Sequence, residues 1–109
     1  MFNFFSMQGN YEERKVDNYE KDNIVIDTCR VTDSLQPYET GVCHPKYNNG
    51  NWIIVEMYDT KEDAKKGHDK WVKKMTSSKP PKQLKDVSNC EIMQFGNAIG
   101  IDNPIYKAE

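Results

Sequence analysis

Two β-prone stretches flanking an Asn-Gly pair constrain this chain more than any other feature. "YETGVCH" (Tyr38 to His44) precedes "PKYNNGN", and "NWIIVEMY" (Asn51 to Tyr58) follows it. Asn49-Gly50 tolerates positive φ at little cost, so it marks a reversal of direction. The second stretch is β-branched and aromatic, as strands prefer. Strand, turn, strand predicts a hairpin over 38–58. Strict alternation puts Tyr38, Thr40, Val42 and His44 on one face of the first strand, and Glu39, Gly41 and Cys43 on the other. In the second strand it groups Ile53, Val55 and Met57 against Trp52, Ile54, Glu56 and Tyr58.

"NIVIDTCRVT" (Asn23 to Thr32) is a third strand before the hairpin. Its residues Val25, Asp27, Cys29 and Val31 oppose Ile24, Ile26, Thr28 and Arg30. After the hairpin, "DTKEDAKKGHDKWVKKM" has helical periodicity, with Ala64, His68, Trp71, Val72 and Met75 on one stripe. Asp59 and Glu62 have capping-box spacing, and Pro80-Pro81 blocks continuation. Gly67 inside the helix costs about 1 kcal/mol relative to alanine. A small residue there predicts close approach of helix to sheet. His68 beside it reads as a polar tip at the helix–sheet seam, needing a hydrogen-bond partner such as the Thr40 hydroxyl or a backbone carbonyl. Gly50, Trp52, Gly67, His68 and Trp71 are the expected structural positions.

The remaining segments are less regular. "YEERKVDNYEK" (Tyr11 to Lys21) reads as a short helix or arm, and Cys90 to Phe95 as a last strand. The expected organisation is an arm over 1–22, a core domain over 23–95 and an extended arm over 96–109. The fold class is α+β: an antiparallel sheet of three to four strands, with one main helix (60–76) on one face. A chain of 109 residues is one domain.

The 10 acidic and 5 basic groups of residues 1–60 contrast with 7 acidic and 10 basic groups in 61–109. A folded chain with these halves has a bipolar surface. Lys65, Lys66, Lys70, Lys73, Lys74, Lys79, Lys82 and Lys85 are numerous, but Glu62, Asp63 and Asp69 interrupt them. With a sequence pI near 5.7, this argues against a nucleic-acid footprint. The apolar start "MFNFFSMQGN" has no basic lead and is too short to span a membrane, so a soluble protein is expected.

Cys29, Cys43, His44, His68 and Cys90 are zinc-type ligands, but their spacings match no zinc template. Cys43 and His44 are adjacent, so on a strand they face opposite ways. Cys43, His44 and His68 are the metal candidates, without a pattern that commits them. A cysteine with His44 or His68 as base and Asp27 or Asp69 as orienter would make a nucleophile, but no elbow or oxyanion loop accompanies it. Three cysteines without CxxC spacing read as reduced thiols. No catalytic set and no cofactor motif emerges. Phe2, Phe4, Phe5, Ile99, Ile101, Ile105 and Tyr106, in the apolar ends, are the candidate partner-binding residues.

The elements "NYEERKV", "IDTCRVTDS", "PYETGVCHPKYNNGNWIIVEMYDT" and "A-x-x-GHDKWVKKM" span most of residues 10–76. Together they resemble small uncharacterised proteins of phages and prophages of Gram-positive bacteria, whose pattern is a YET strand, an HPxYNxGxW hairpin and a GHxKWV helix. The resemblance implies viral origin, location in a virion or host cytoplasm, and protein partners: the chain itself, virion proteins or a host protein. It implies no reaction. The expected function is non-enzymatic protein binding, as a virion-associated or structural component. The alternatives are an accessory factor that modulates a host defence or replication protein, and a small-ligand or zinc protein using His68 with Cys43 or His44.

Overall fold

The computed structural model describes residues 14–31, 36–88 and 104–109. Strands β1 (Lys15–Lys21), β2 (Ile24–Arg30), β3 (Tyr38–Cys43) and β4 (Ile53–Tyr58) form an antiparallel sheet in sequence order. Helix α1 (Lys61–Thr76) follows and packs across one face, touching all four strands. A second, two-stranded sheet pairs β5 (Gln83–Lys85) with β6 (Ile105–Lys107). The chain is α+β, with the hairpin and helix in the expected places.

β1 corrects the reading of Tyr11 to Lys21 as a short helix or arm: residues 15–21 are a sheet strand, so the core begins before residue 23. The missed signal is Asp22-Asn23. Both residues have positive φ, 55° and 67°, and link β1 to β2 as a two-residue turn. Asp and Asn tolerate that region, and a left-handed pair matches the twist of the strands it joins. Val16 and Tyr19 are spaced helically because the register slips between Lys15 and Asp17, where β1 carries one extra residue.

The link from β3 to β4 is a 3-10 turn, Asn48–Gly50, with φ of 49°, 54° and 80° in succession. Tyr47, just before it, is fully buried, and its hydroxyl donates to the Pro81 carbonyl. The turn is thereby tied to the segment leaving the helix. Helix α1 is capped by Thr60 rather than Asp59: Thr60 Oγ1 accepts the Asp63 N–H at 3.1 Å.

A register shift in β4 overturns the strict alternation expected there. Thr40 pairs with Glu56, but Gly41 pairs with Ile54, so Val55 is the extra residue of a bulge. Ile53 and Val55 join the helix-side core with Ile26, Val42, Tyr47, Met75 and Leu84. Glu56 and Tyr58 share that side, while Ile54 and Met57 pack on the other with Cys29, Val31, Trp52 and Val87. Full burial of an aliphatic side chain such as Ile26 or Ile53 stabilises by about 1.5–3 kcal/mol.

The C-terminal residues are not a detached arm where they are described. β6 pairs with β5, and backbone bonds join Asp86 to Pro104, Ala108 to Lys82 and Glu109 to Lys46. The strand expected over Cys90 to Phe95 lies outside the described residues. Among those described, no helix is long and apolar enough to cross a membrane.

Candidate functional site

β4 and the first turns of α1 enclose a cleft of about 380 Å³, bounded by Glu56, Tyr58 and Asp59 on one side and Lys66, Gly67 and Lys70 on the other. Gly67 sets its depth. A Cβ at that position would overlap the Tyr58 ring and hydroxyl, so only glycine lets strand and helix approach this closely. The expected close approach at Gly67 is present, with Tyr58 as the group that exploits it.

Beneath the cleft runs a line of buried polar groups drawn from three strands and the helix. His68 Nδ1 lies 2.7 Å from Thr28 Oγ1, which lies 2.6 Å from Thr40 Oγ1, and Thr40 Oγ1 lies 3.0 Å from the Tyr58 hydroxyl. Thr28↔Thr40 is a cross-strand pair, and Thr40↔Glu56 continues the same rung into β4. His68 is 2% exposed, and both threonines are fully buried. An unpaired polar group here would cost free energy, so the contacts are what make the burial tolerable. The expected strand hydroxyl for His68 is there, but it is Thr28; Thr40 is the next group along.

The line ends on Glu56 at the cleft wall. A single oxygen, Oε1, accepts from the Tyr58 hydroxyl (3.2 Å), the Trp71 indole N–H (2.8 Å) and the Lys70 ammonium (2.6 Å). Burial raises the Glu56 carboxyl pKa, but the bonds from Lys70 and Trp71, the Lys70 charge and the Tyr58 hydroxyl outweigh it. The carboxyl is therefore held below its ordinary range and is ionised. Burial pushes the Tyr58 phenol well up, so it stays protonated. Burial lowers His68 too, against the raising effect of Asp17, Asp69 and Asp27.

The metal candidates are not brought together. His68 faces Thr28, whereas His44 Nδ1 accepts the Lys46 backbone N–H at 3.1 Å, and its ring meets Tyr47 edge-on. Burial and the Lys46 charge lower the His44 pKa, while a hydrogen bond to the Met75 backbone raises it. Cys43 pairs with Val25 and Cys29 with Glu39, so the thiols sit on different rungs, on the face away from α1. Burial pushes the Cys43 thiol up to about 12, far from a reactive thiolate. Among the described residues, no three His, Cys, Asp or Glu side chains are grouped to hold a metal ion. The wall of the cleft beside β4 includes Gly67 but not His68.

The edge of α1 along Lys70, Trp71 and Lys74 carries the other concentration of functional groups. Trp71 is half-buried, with Lys74 Nζ 4.7 Å and Lys70 Nζ 5.6 Å from its ring centroid. Past the helix end, Lys73, Lys74, Ser77, Lys79 and Pro81 line an open basin of about 390 Å³. Of the partner candidates, Tyr106 is half-buried against the core and Ile105 is 53% exposed. Phe2, Phe4, Phe5, Ile99 and Ile101 lie outside the described residues.

Sequence reasoning singled out Gly67, His68 and Trp71 but missed Thr28, Tyr58 and Glu56 as their partners. The available signal was Glu56, a lone charge inside the apolar run "IIVEMY". No protein-family model, curated protein or solved structure matches the chain.

Proposed function

We propose that the chain is a phage-encoded, non-enzymatic protein that works by binding another protein through the lysine-rich edge of α1 along Lys70, Trp71 and Lys74. The observation that carries this reading is Trp71 with Lys70 and Lys74 against its ring, beside the basin at Lys73, Lys79 and Pro81. A half-buried indole flanked by cations offers apolar area and positive charge together, a combination suited to an acidic segment of a protein partner. The buried polar groups support the same reading: His68, Thr28 and Thr40 bond to one another and present little surface to a substrate. The phage setting rests on the sequence resemblance. Within it we favour a virion-associated component, a reading supported by the exposed Ile105 and the apolar character of the chain ends.

The test is capture of a tagged copy from infected cells with mass spectrometry, alongside a Lys73→Glu/Lys74→Glu form. The expected result is a specific protein, a virion component on this reading, retained by the native chain and lost with the charge-reversed one. Equal retention by both forms would remove α1 as the surface. A host protein in place of a virion protein would make the chain a host-acting factor. If nothing specific is retained, the proposal fails.

A further inference from the structure

The line from His68 to Glu56 contains four contacts whose proton positions are mutually determined. Each hydroxyl has one proton to donate. Ionised Glu56 only accepts, so Tyr58 spends its proton on Glu56 Oε1. The 3.0 Å contact between Tyr58 and Thr40 must then be donated by Thr40. Thr40 has no second proton, so Thr28 donates across the 2.6 Å contact to Thr40. Thr28 is then also committed, and the 2.7 Å contact to His68 requires a proton on Nδ1.

We infer that Glu56, at the cleft wall, fixes the proton order through Tyr58, Thr40 and Thr28 and so holds His68 as the Nδ1–H tautomer. Free neutral histidine favours the opposite form, with the proton on Nε2. His44 serves as a comparison within the same molecule: its Nδ1 accepts the Lys46 N–H, so its proton lies on Nε2. The chain's two histidines therefore carry opposite tautomers. The charged groups around His68 are Asp17 from β1, Asp27 from β2 and Asp69 from its own helix. All three favour a cationic ring, and burial opposes them. The ring is neutral at pH 7.5.

The line is bistable. When a proton on Glu56 makes that carboxyl a donor to the Tyr58 oxygen, Tyr58 donates to Thr40 instead. Thr40 then donates to Thr28, and Thr28 to His68 Nδ1. The hydroxyl protons only rotate. The imidazole loses one proton from Nδ1 and gains one on Nε2 by exchange with water, with no net uptake. Protonation of a half-buried carboxylate is thereby registered on a ring nitrogen inside the domain.

The experiment is two-bond ¹H–¹⁵N NMR of the full chain, ¹⁵N-labelled at histidine, at pH 7.5. Substituting His44 by glutamine assigns the two rings. The native protein is expected to show a protonated Nδ1 and a bare Nε2 for His68, with the reverse for His44. Tyr58→Phe removes the oxygen that accepts from Thr40, and Thr40→Val removes the one that accepts from Thr28. Each is expected to move the His68 proton to Nε2, whereas Thr40→Ser keeps the native pattern. The two variants break the line at different points, so the test survives if one of them does not fold. A native His68 that is Nε2–H or doubly protonated overturns the inference, as does an unchanged pattern in either folded variant.

Discussion

The Tyr58 ring occupies the space that a side chain on Gly67 would need. Alanine at 67 would gain about 1 kcal/mol of helix propensity. Against this, a methyl forced against an aromatic ring in a packed seam costs about 1–3 kcal/mol. Gly67→Ala is therefore expected to be a net loss, lowering Tm by several degrees in a domain of this size. Thermal unfolding checks it, and a Tm above that of the native chain would show that the seam has slack.

Thr28 serves both His68 and Thr40 with one hydroxyl. Thr28→Val keeps the shape and removes the oxygen, leaving the buried His68 Nδ1 without its partner. A loss of about 1–3 kcal/mol is expected in urea unfolding. Thr28→Ser keeps the oxygen and should lie within about 1 kcal/mol of native. Equal losses for the two would indicate that the missing methyl, rather than the hydrogen bond, controls stability.

Acid should destabilise the fold, and the direction follows from three groups. The folded-state pKa values of His68 and His44 lie below that of unfolded histidine, about 6.5. The unfolded chain therefore binds more protons once the pH drops below about 6.5, and stability falls with further acidification. Glu56 acts in the same direction lower down: its depressed pKa contributes stability above about 4.3, and this is lost as pH falls through the folded value. The urea midpoint should be higher at pH 7.5 than at 5.5, with the slope m unchanged. A midpoint that rises on acidification would contradict the histidine environments.

Cys43 and Cys29 are buried, and Cys43 is also held protonated. Alkylation at pH 8 followed by peptide mass spectrometry should find both protected in the native chain and labelled in urea. Modification of Cys43 at the rate of an exposed thiol would place that strand at a frayed edge.

Much of the fold was legible because its signals are local. Asn49-Gly50, the apolar run before Tyr58 and the stripe ending at Met75 each act within a few residues. The strand at Lys15–Lys21 was hidden because its bulge spaces Val16 and Tyr19 like a helix, and because Asp22-Asn23 is a weaker turn signal than Asn-Gly. The site was half legible. His68 and Gly67 stood out by type and position, but their partners are chosen by register. Thr28 meets His68 across 40 positions of sequence, and no local pattern indicates which hydroxyl lies beneath a given helical residue. Strict alternation groups Glu56 with Ile54 because it runs through Val55, where the strand breaks it.

The bulge at Val55 also bears on how relatives of this chain should be aligned. Ile53 and Ile54 precede it in one phase of alternation, and Glu56, Met57 and Tyr58 follow in the phase that a strand without Val55 would have had anyway. A relative lacking this residue would lose one core side chain and keep every other residue of the strand on its present side. A gap at Met57 would instead turn either Glu56 or Tyr58 to the opposite side. The bulge at Val55 thus gives β4 a place where evolution can change the length of the chain by one without redrawing the molecule.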